Sequence, residues 1–183
     1  MVKLEENAVL VVIDVQKVWA NPGFGERNNP DAERVISKLI GEFRKKGKTI
    51  IHVRHDSLNP DSLFKVGKPT FEFKDEVKPM PGELVITKHV NSAFIGTDLE
   101  RTLRKMGDPQ VFYVGLVTDH CVSTTARMSG NLGFRSYVIE DACATFDRKD
   151  SNGKVLQAED VHKINLASID GEFAEVIRSD ELS

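Results

Sequence analysis

A chain of 183 residues, 40% hydrophobic and 29% charged, has the make-up of a folded protein, and its length suits one domain spanning 1–183 rather than two. A net charge of −3 with pI near 6.0 provides no concentrated basic face for phosphates, so nucleic acid is excluded as a main partner. No apolar run approaches the roughly 18–20 residues of a membrane span, no secretion signal pattern opens the chain, and two cysteines make no disulfide framework, so the expectation is a cytoplasmic protein with reduced thiols and no membrane contact.

Residues 8–13 form a continuous apolar run, as expected of a strand covered on both faces. A loop marked by Pro22, Gly23 and Gly25 follows. Pro30 and Asp31 then open a helix whose stripe is Val35, Ile36, Leu39, Ile40 and Phe43, ended at Gly47. The basic cluster Arg44, Lys45, Lys46 and Lys48 falls where that helix ends, and there it complements the macrodipole. Residues 49–53 read as the second strand. From 56 to 82 the periodicity is weak and broken by Pro60, Pro69, Pro79 and Pro81; a segment of that length is expected to be functional or an oligomer contact. Regular patterning resumes with a strand at 84–87, a helix around 98–106, a strand at 111–114 and a helix from about 121 to 132, ended by Gly133. A strand at 135–139, a helix at 158–169 and a short strand at 173–177 complete the series. Six strands joined through helices predict an α/β fold, a three-layer α/β/α doubly wound arrangement around a mainly parallel sheet. Such sheets bind ligands at the carboxyl ends of their strands.

Three reactive side chains emerge at that edge. Asp14 follows the first strand, Lys88 follows residues 84–87, and Cys121 follows the strand at 111–114 through a short connection. Cys121 is expected at a helix start, where backbone N–H groups and a nearby ammonium favour the thiolate, and a carboxylate can accept the thiol proton. Amide cleavage needs such a nucleophile, a proton shuttle to the departing nitrogen and donors for the oxyanion.

Asp14-Val15-Gln16 is one motif; Lys88 followed by Asn91-Ser92-Ala93-Phe94, Gly96 and Thr97 is a second. Gly115-Leu116-Val117-Thr118-Asp119 leading to Cys121-Val122-Ser123-Thr124-Thr125 is a third. In this order they resemble the isochorismatase-like superfamily, in its cysteine hydrolase branch. The likeness extends through Asp141-Ala142, Phe146-Asp147 and Gly171-Glu172-Phe173-Ala174. The resemblance implies the Rossmann-like isochorismatase fold and hydrolysis of a C–N bond in a small amide or ureido substrate. It makes Cys121 the nucleophile that forms a thioester, Asp14 the proton carrier and Lys88 the group that holds Asp14. It also implies a non-proline cis peptide at Leu116–Val117, with the Val117 and Cys121 N–H groups aimed at the oxyanion. A homodimer or homotetramer and no cofactor are implied as well, and residues 56–82 could complete a neighbour's pocket.

The chain departs from its relatives in two places. Family nicotinamidases carry an Asp-x-His metal set; here the stretch is His52-Val53-Arg54-His55, with Val53 in place of the aspartate, so no metal is expected. His55 is expected as a polar pocket wall, and Gln16, Trp19 and Phe94 as further substrate contacts. Trp19 and Phe146 could equally line a subunit interface. Isochorismatases that cleave a vinyl ether lack the cysteine, so Cys121 argues against that reaction, although an Asp14-driven ether hydrolysis stands as an alternative. A catalytically idle, oligomeric binding protein on the same fold is another. A third is a redox thiol protein pairing Cys121 with Cys143, against the plainer reading of Cys143 as a buried packing thiol. His120 diverges from Cys121 by about 100° around a helix and is poorly placed as a base. Asp119 is expected to cap the helix, a contribution of roughly 1 kcal/mol. His89 and His162 read as surface or structural residues, and no G-x-G-x-x-G supports a dinucleotide site.

Overall fold

The computed structural model describes residues 1–183. In chain order its elements are β1 (Val9–Ile13), α1 (Ala32–Lys45), β2 (Thr49–His55), β3 (Leu84–Lys88), α2 (Leu99–Lys105) and β4 (Val111–Leu116), then α3 (Ser123–Asn131), β5 (Ser136–Ala144), β6 (Arg148–Lys149), β7 (Val155–Leu156), α4 (Ala158–Ala167) and β8 (Glu175–Ile177). Six strands make one sheet in the order β3-β2-β1-β4-β5-β8, and every neighbouring pair is parallel.

β1 lies at the middle of the sheet and is buried throughout. Its alternate side chains divide between two layers. Leu10 and Val12 pack with Ile36, Leu39, Ile40 and Phe43 of α1. Val9, Val11 and Ile13 pack with Leu99 and Leu103 of α2, Ala126 of α3 and Leu166 of α4. Helices therefore cover both faces, which is why the strand shows no polar alternation.

From β1 the chain winds outward through β2 to β3, then returns to place β4 on the other side of β1. The strand order reverses between β1 and β4, and the crevice beyond their carboxyl ends is where a doubly wound sheet takes its ligand. Gly115 allows the close approach there. It pairs with Ile13 at φ +134°, and a Cβ on it would lie 2.0 Å from the Ile13 carbonyl oxygen.

Three local features differ from expectation. A turn of π-helix, Thr118–Val122, precedes α3, so the helix begins after Cys121 rather than at it. β5 runs on to Ala144, with a register shift against β4 between Tyr113 and Gly115. β6 and β7 form an antiparallel ribbon apart from the main sheet. Residues 56–82 contain only short 3₁₀ turns and fold back on their own chain: Phe71, Phe73 and Val77 are buried, Lys74 N–H donates to Val15 O and Lys17 N–H to Glu72 O. No helix is long and apolar enough to cross a membrane.

Candidate active site

Asp14 is the first residue beyond β1, where the chain must turn away from the sheet. Its φ is +52°, in the left-handed region, a conformation that costs a non-glycine residue of order 1–3 kcal/mol and tends to persist where function requires it. The Asp14 N–H donates to Val53 O at 2.9 Å, which ties this bend to β2. Lys88 closes β3. Both side chains are fully buried, and Lys88 Nζ lies 2.6 Å from Asp14 Oδ2.

The same ammonium reaches Cys121 Sγ at 3.3 Å, His55 Nδ1 at 3.2 Å and the Val90 carbonyl at 3.2 Å. Asp14, His55 and Cys121 all bring a donor atom within 4.8 Å of one another. The strand ends thus deliver carboxylate, ammonium and thiol to one point, with the imidazole of His55 beside them. The ammonium meets Asp14 as an ion pair without hydrogen-bond geometry, so both carboxylate oxygens keep unused lone pairs.

Burial opposes the charge on Lys88, but Asp14 and Cys121 outweigh it and hold the ammonium above its ordinary range. For Cys121, burial and then the Asp14 carboxylate push the thiol far up, against the pull of Lys88. The resting thiol is therefore protonated. This corrects the expectation of a thiolate favoured by a helix start: Cys121 lies inside the π-helical turn, and a buried carboxylate faces it. Burial and then Lys88 lower the His55 pKa and keep the ring neutral. Because an ammonium has no lone pair, His55 Nδ1 must accept from Lys88, which leaves the ring proton on Nε2.

The Leu116–Val117 peptide is cis. Val117 is buried, and no backbone or side-chain acceptor in the chain takes its N–H. Trp19 donates its indole N–H to the Asp14 carbonyl at 2.6 Å and packs with Phe24, Phe64 and Phe146 at centroid distances of 4.8, 5.1 and 5.6 Å. Phe64 also meets the His55 ring edge-on at 5.4 Å. An aromatic wall therefore stands beside the reactive groups. Phe64 was not foreseen, because it comes from the segment 56–82, where no periodicity marks which side chains turn inward.

Several expected roles are corrected. Gln16 is fully buried, its Nε2 donating to Phe71 O at 2.7 Å and His55 O at 3.2 Å while its Oε1 accepts from His55 N–H. Its amide is spent joining β1, β2 and the 56–82 segment, which leaves nothing for a substrate. Phe94 packs into the core, stacked on Phe134 at 5.9 Å. Asp119 caps no helix. It binds Arg148 (Nε 2.7 Å, Nη2 3.0 Å) and Thr145 instead. His120 is exposed and reaches only Asp119, at 3.4 Å. His162 is buried and pairs with Thr118.

The nicotinamidase metal set has no counterpart. Val53 is core, and His52 is buried with Nε2 2.9 Å from Glu83 Oε2. The set Asp14, His55 and Cys121 has the donor chemistry of a cation site, but the Lys88 ammonium sits among all three donors. These residues do not fit a resident metal. Cys143 is a free, fully buried thiol on β5, pushed up by burial to about 12.

Known proteins are similar to this chain in both sequence and shape. A family model described as an isochorismatase domain matches residues 8–181. The isochorismatase family protein YrdC of Bacillus subtilis is 47% identical over 98% of this chain and 96% of its own length. The crystal structure of an isochorismatase-family protein from Chromobacterium violaceum superposes with a TM-score of 0.94 at 43% identity, covering 97% of this chain and 92% of that one. That of N-carbamoylsarcosine amidase from Thermoplasma acidophilum gives 0.74 at 28% identity, covering 95% and 97%. With the family model spanning nearly every element of the sheet and both flanking layers, this chain belongs to the isochorismatase family of hydrolases.

Proposed function

We propose that this protein hydrolyses the C–N bond of a small amide or ureido compound through a Cys121 thioester. The observation that carries this reading is the single Lys88 ammonium in contact with both Asp14 Oδ2 at 2.6 Å and Cys121 Sγ at 3.3 Å. A protonated thiol beside a buried carboxylate is a nucleophile stored with its base. Asp14 takes the thiol proton as sulfur attacks the carbonyl. The S–C bond forms, and the carbonyl oxygen becomes an oxyanion. Collapse breaks the C–N bond while Asp14 passes the proton to the departing nitrogen, leaving the acyl group on sulfur. Water then adds to the thioester as Asp14 takes its proton, the C–S bond breaks to free the acid, and Asp14 returns the proton to the sulfur. The products are the acid, or carbamic acid from a ureido substrate, and the amine or ammonia.

Lys88 steadies Asp14 and the sulfur throughout. The unpartnered Val117 N–H, with that of Cys121, supplies the oxyanion donors. Trp19 and Phe64 offer flat apolar contact, which favours a planar or apolar acyl portion. The N-carbamoylsarcosine amidase among the related structures is consistent with a ureido group as one such substrate. A homodimer or homotetramer accompanies this reading, and the exposed Leu58, Val66 and Met80 of the 56–82 segment supply apolar surface for it.

The test is a screen of small amides and ureides for ammonia release, with Cys121→Ala as the control. Turnover by the parent protein, its loss in the variant by about 10³-fold or more, and an acyl-mass adduct on Cys121 are expected. Undiminished ammonia release by Cys121→Ala would overturn the covalent route, and cleavage of a vinyl ether with no ammonia from any amide or ureide would favour ether hydrolysis driven by Asp14.

A further inference from the structure

We propose that His162 is a positioning residue for the nucleophile, acting through Thr118. The inference rests on Cys121 being the nucleophile of the reaction proposed above.

Cys121 rides on a single turn of π-helix, Thr118–Val122, a geometry that is uncommon and recurs at functional sites. No side chain caps this turn. It is held from outside at two adjacent residues. Asp119 is gripped by Arg148 and Thr145. Thr118, fully buried, has Oγ1 2.8 Å from Nδ1 of His162, itself 5% exposed and on α4, 44 residues away in sequence.

The Asn29 amide nitrogen donates to the carbonyls of Glu140 and Cys143 and faces His162 Nε2 at 3.4 Å. Both amide protons go to those carbonyls, so Asn29 packs against the ring without setting its tautomer, and the His162–Thr118 hydrogen bond holds the two residues together whichever partner donates. Burial lowers the pKa of His162 and keeps the ring neutral. His162 thus fixes Thr118, and Thr118 fixes the turn that sets the Cys121 sulfur 3.3 Å from Lys88.

Removing the bond lets the turn relax and moves Sγ from between Lys88 and Asp14 toward solvent. Alkylation of Cys121 by iodoacetamide reports this without any substrate, so the outcome is independent of whether the amide hydrolase reading survives. Buried Cys143 serves as an internal sensor of unfolding. The variants are Thr118→Val and His162→Leu, which delete the bond, and Thr118→Ser and His162→Asn, which keep a hydroxyl or an amide N–H at the same place.

Thr118→Val and His162→Leu are each expected to raise the Cys121 alkylation rate about three- to tenfold as the thiol leaves its half-buried, carboxylate-facing position. Their combination should add nothing further, because both remove one interaction. Thr118→Ser and His162→Asn should restore the parent rate, with Cys143 unreacted throughout. An unchanged Cys121 rate in Thr118→Val, an additive double variant, or equal effects of Thr118→Ser and Thr118→Val would each overturn the proposal. Alkylation of Cys143 in the deletion variants would assign the effect to unfolding and overturn it as well.

Discussion

Replacing Lys88 by Met would leave the Asp14 carboxylate fully buried with no opposing charge. Breaking a buried pair from one side costs about 3–5 kcal/mol, mostly the desolvation of the orphaned ion. Lys88→Met should therefore lower the urea midpoint markedly, and the double variant Asp14→Asn with Lys88→Met should recover much of that loss. Equal stability of Lys88→Met and the parent would refute the ion pair as a support of the fold. At this scale the reactive residues were legible, because a carboxylate, an ammonium and a thiol placed just after apolar runs stand out in a sequence. Their neighbours were not. Gln16 and Phe94 belong to the same motifs, yet one spends its amide on backbone groups and the other stacks on Phe134. A motif records that a residue matters locally without recording which way its side chain turns.

The elements follow from burial, and the two strands that meet at the site leave no room for a side chain between them. A Cβ on Gly115 would lie 2.0 Å from the Ile13 carbonyl oxygen and 2.8 Å from its carbon and nitrogen, all backbone atoms that cannot step aside. Gly115→Ala is expected to force β1 and β4 apart and cost more than about 4 kcal/mol, enough to prevent soluble expression. Gly133, which ends α3 at φ +82° with open space around it, provides the contrast. Alanine there should cost only about 1–2 kcal/mol of backbone strain, read as a modest drop in melting temperature. Similar losses at both positions would refute the close-approach argument. All six sheet strands could be read from the sequence, the inner β1 and β4 most plainly because a strand covered on both faces is an apolar run. β5 was cut short at Ile139 because Glu140 and Asp141 interrupt its run, although the backbone continues pairing to Ala144. The β6–β7 ribbon has two residues a side, too few for any period to register. The π-helical turn escapes for the same reason, since one turn never repeats.

Across the whole molecule, β3, β2, β1 and β4 each deliver a group from the carboxyl end, namely Lys88, His55, Asp14 and Cys121, so the site depends on the sheet staying in register. The segments around it are fastened by two carboxylates. Glu33 on α1 binds Arg27 at 2.8 and 3.0 Å and Lys74 at 2.5 Å, anchoring both the loop after β1 and the 56–82 segment. Glu83 binds Arg44 at 2.7 and 2.9 Å, His52 at 2.9 Å and the Met80 N–H at 2.8 Å. Burial opposes the charge on Glu33, but Arg27 and Lys74 outweigh it and hold the carboxyl at about 2. The Arg44 hydrogen bond, against burial and with help from Met80 and His52, holds Glu83 at about 2 as well. Against an ordinary value of 4.5, the unfolded chain binds more protons than the fold between those limits, so this stabilisation is complete above pH 4.5 and drains away toward pH 2. At about 1.4 kcal/mol per unit, each group contributes on the order of 3–4 kcal/mol. The buried histidines His52 and His162 and the half-buried His55 work in the same direction at higher pH. Burial lowers all three from 6.5, so their protonation in the unfolded chain begins to erode stability as pH falls through 6.5. Thermal melts followed by circular dichroism should thus show a shallow decline below pH 6.5 and a steeper one below 4.5. Glu33→Gln should melt lower at pH 7 and lose part of the steep limb while keeping the shallow one. A variant whose melting temperature tracks the parent in parallel down to pH 2.5 would show that Glu33 is not the group being titrated.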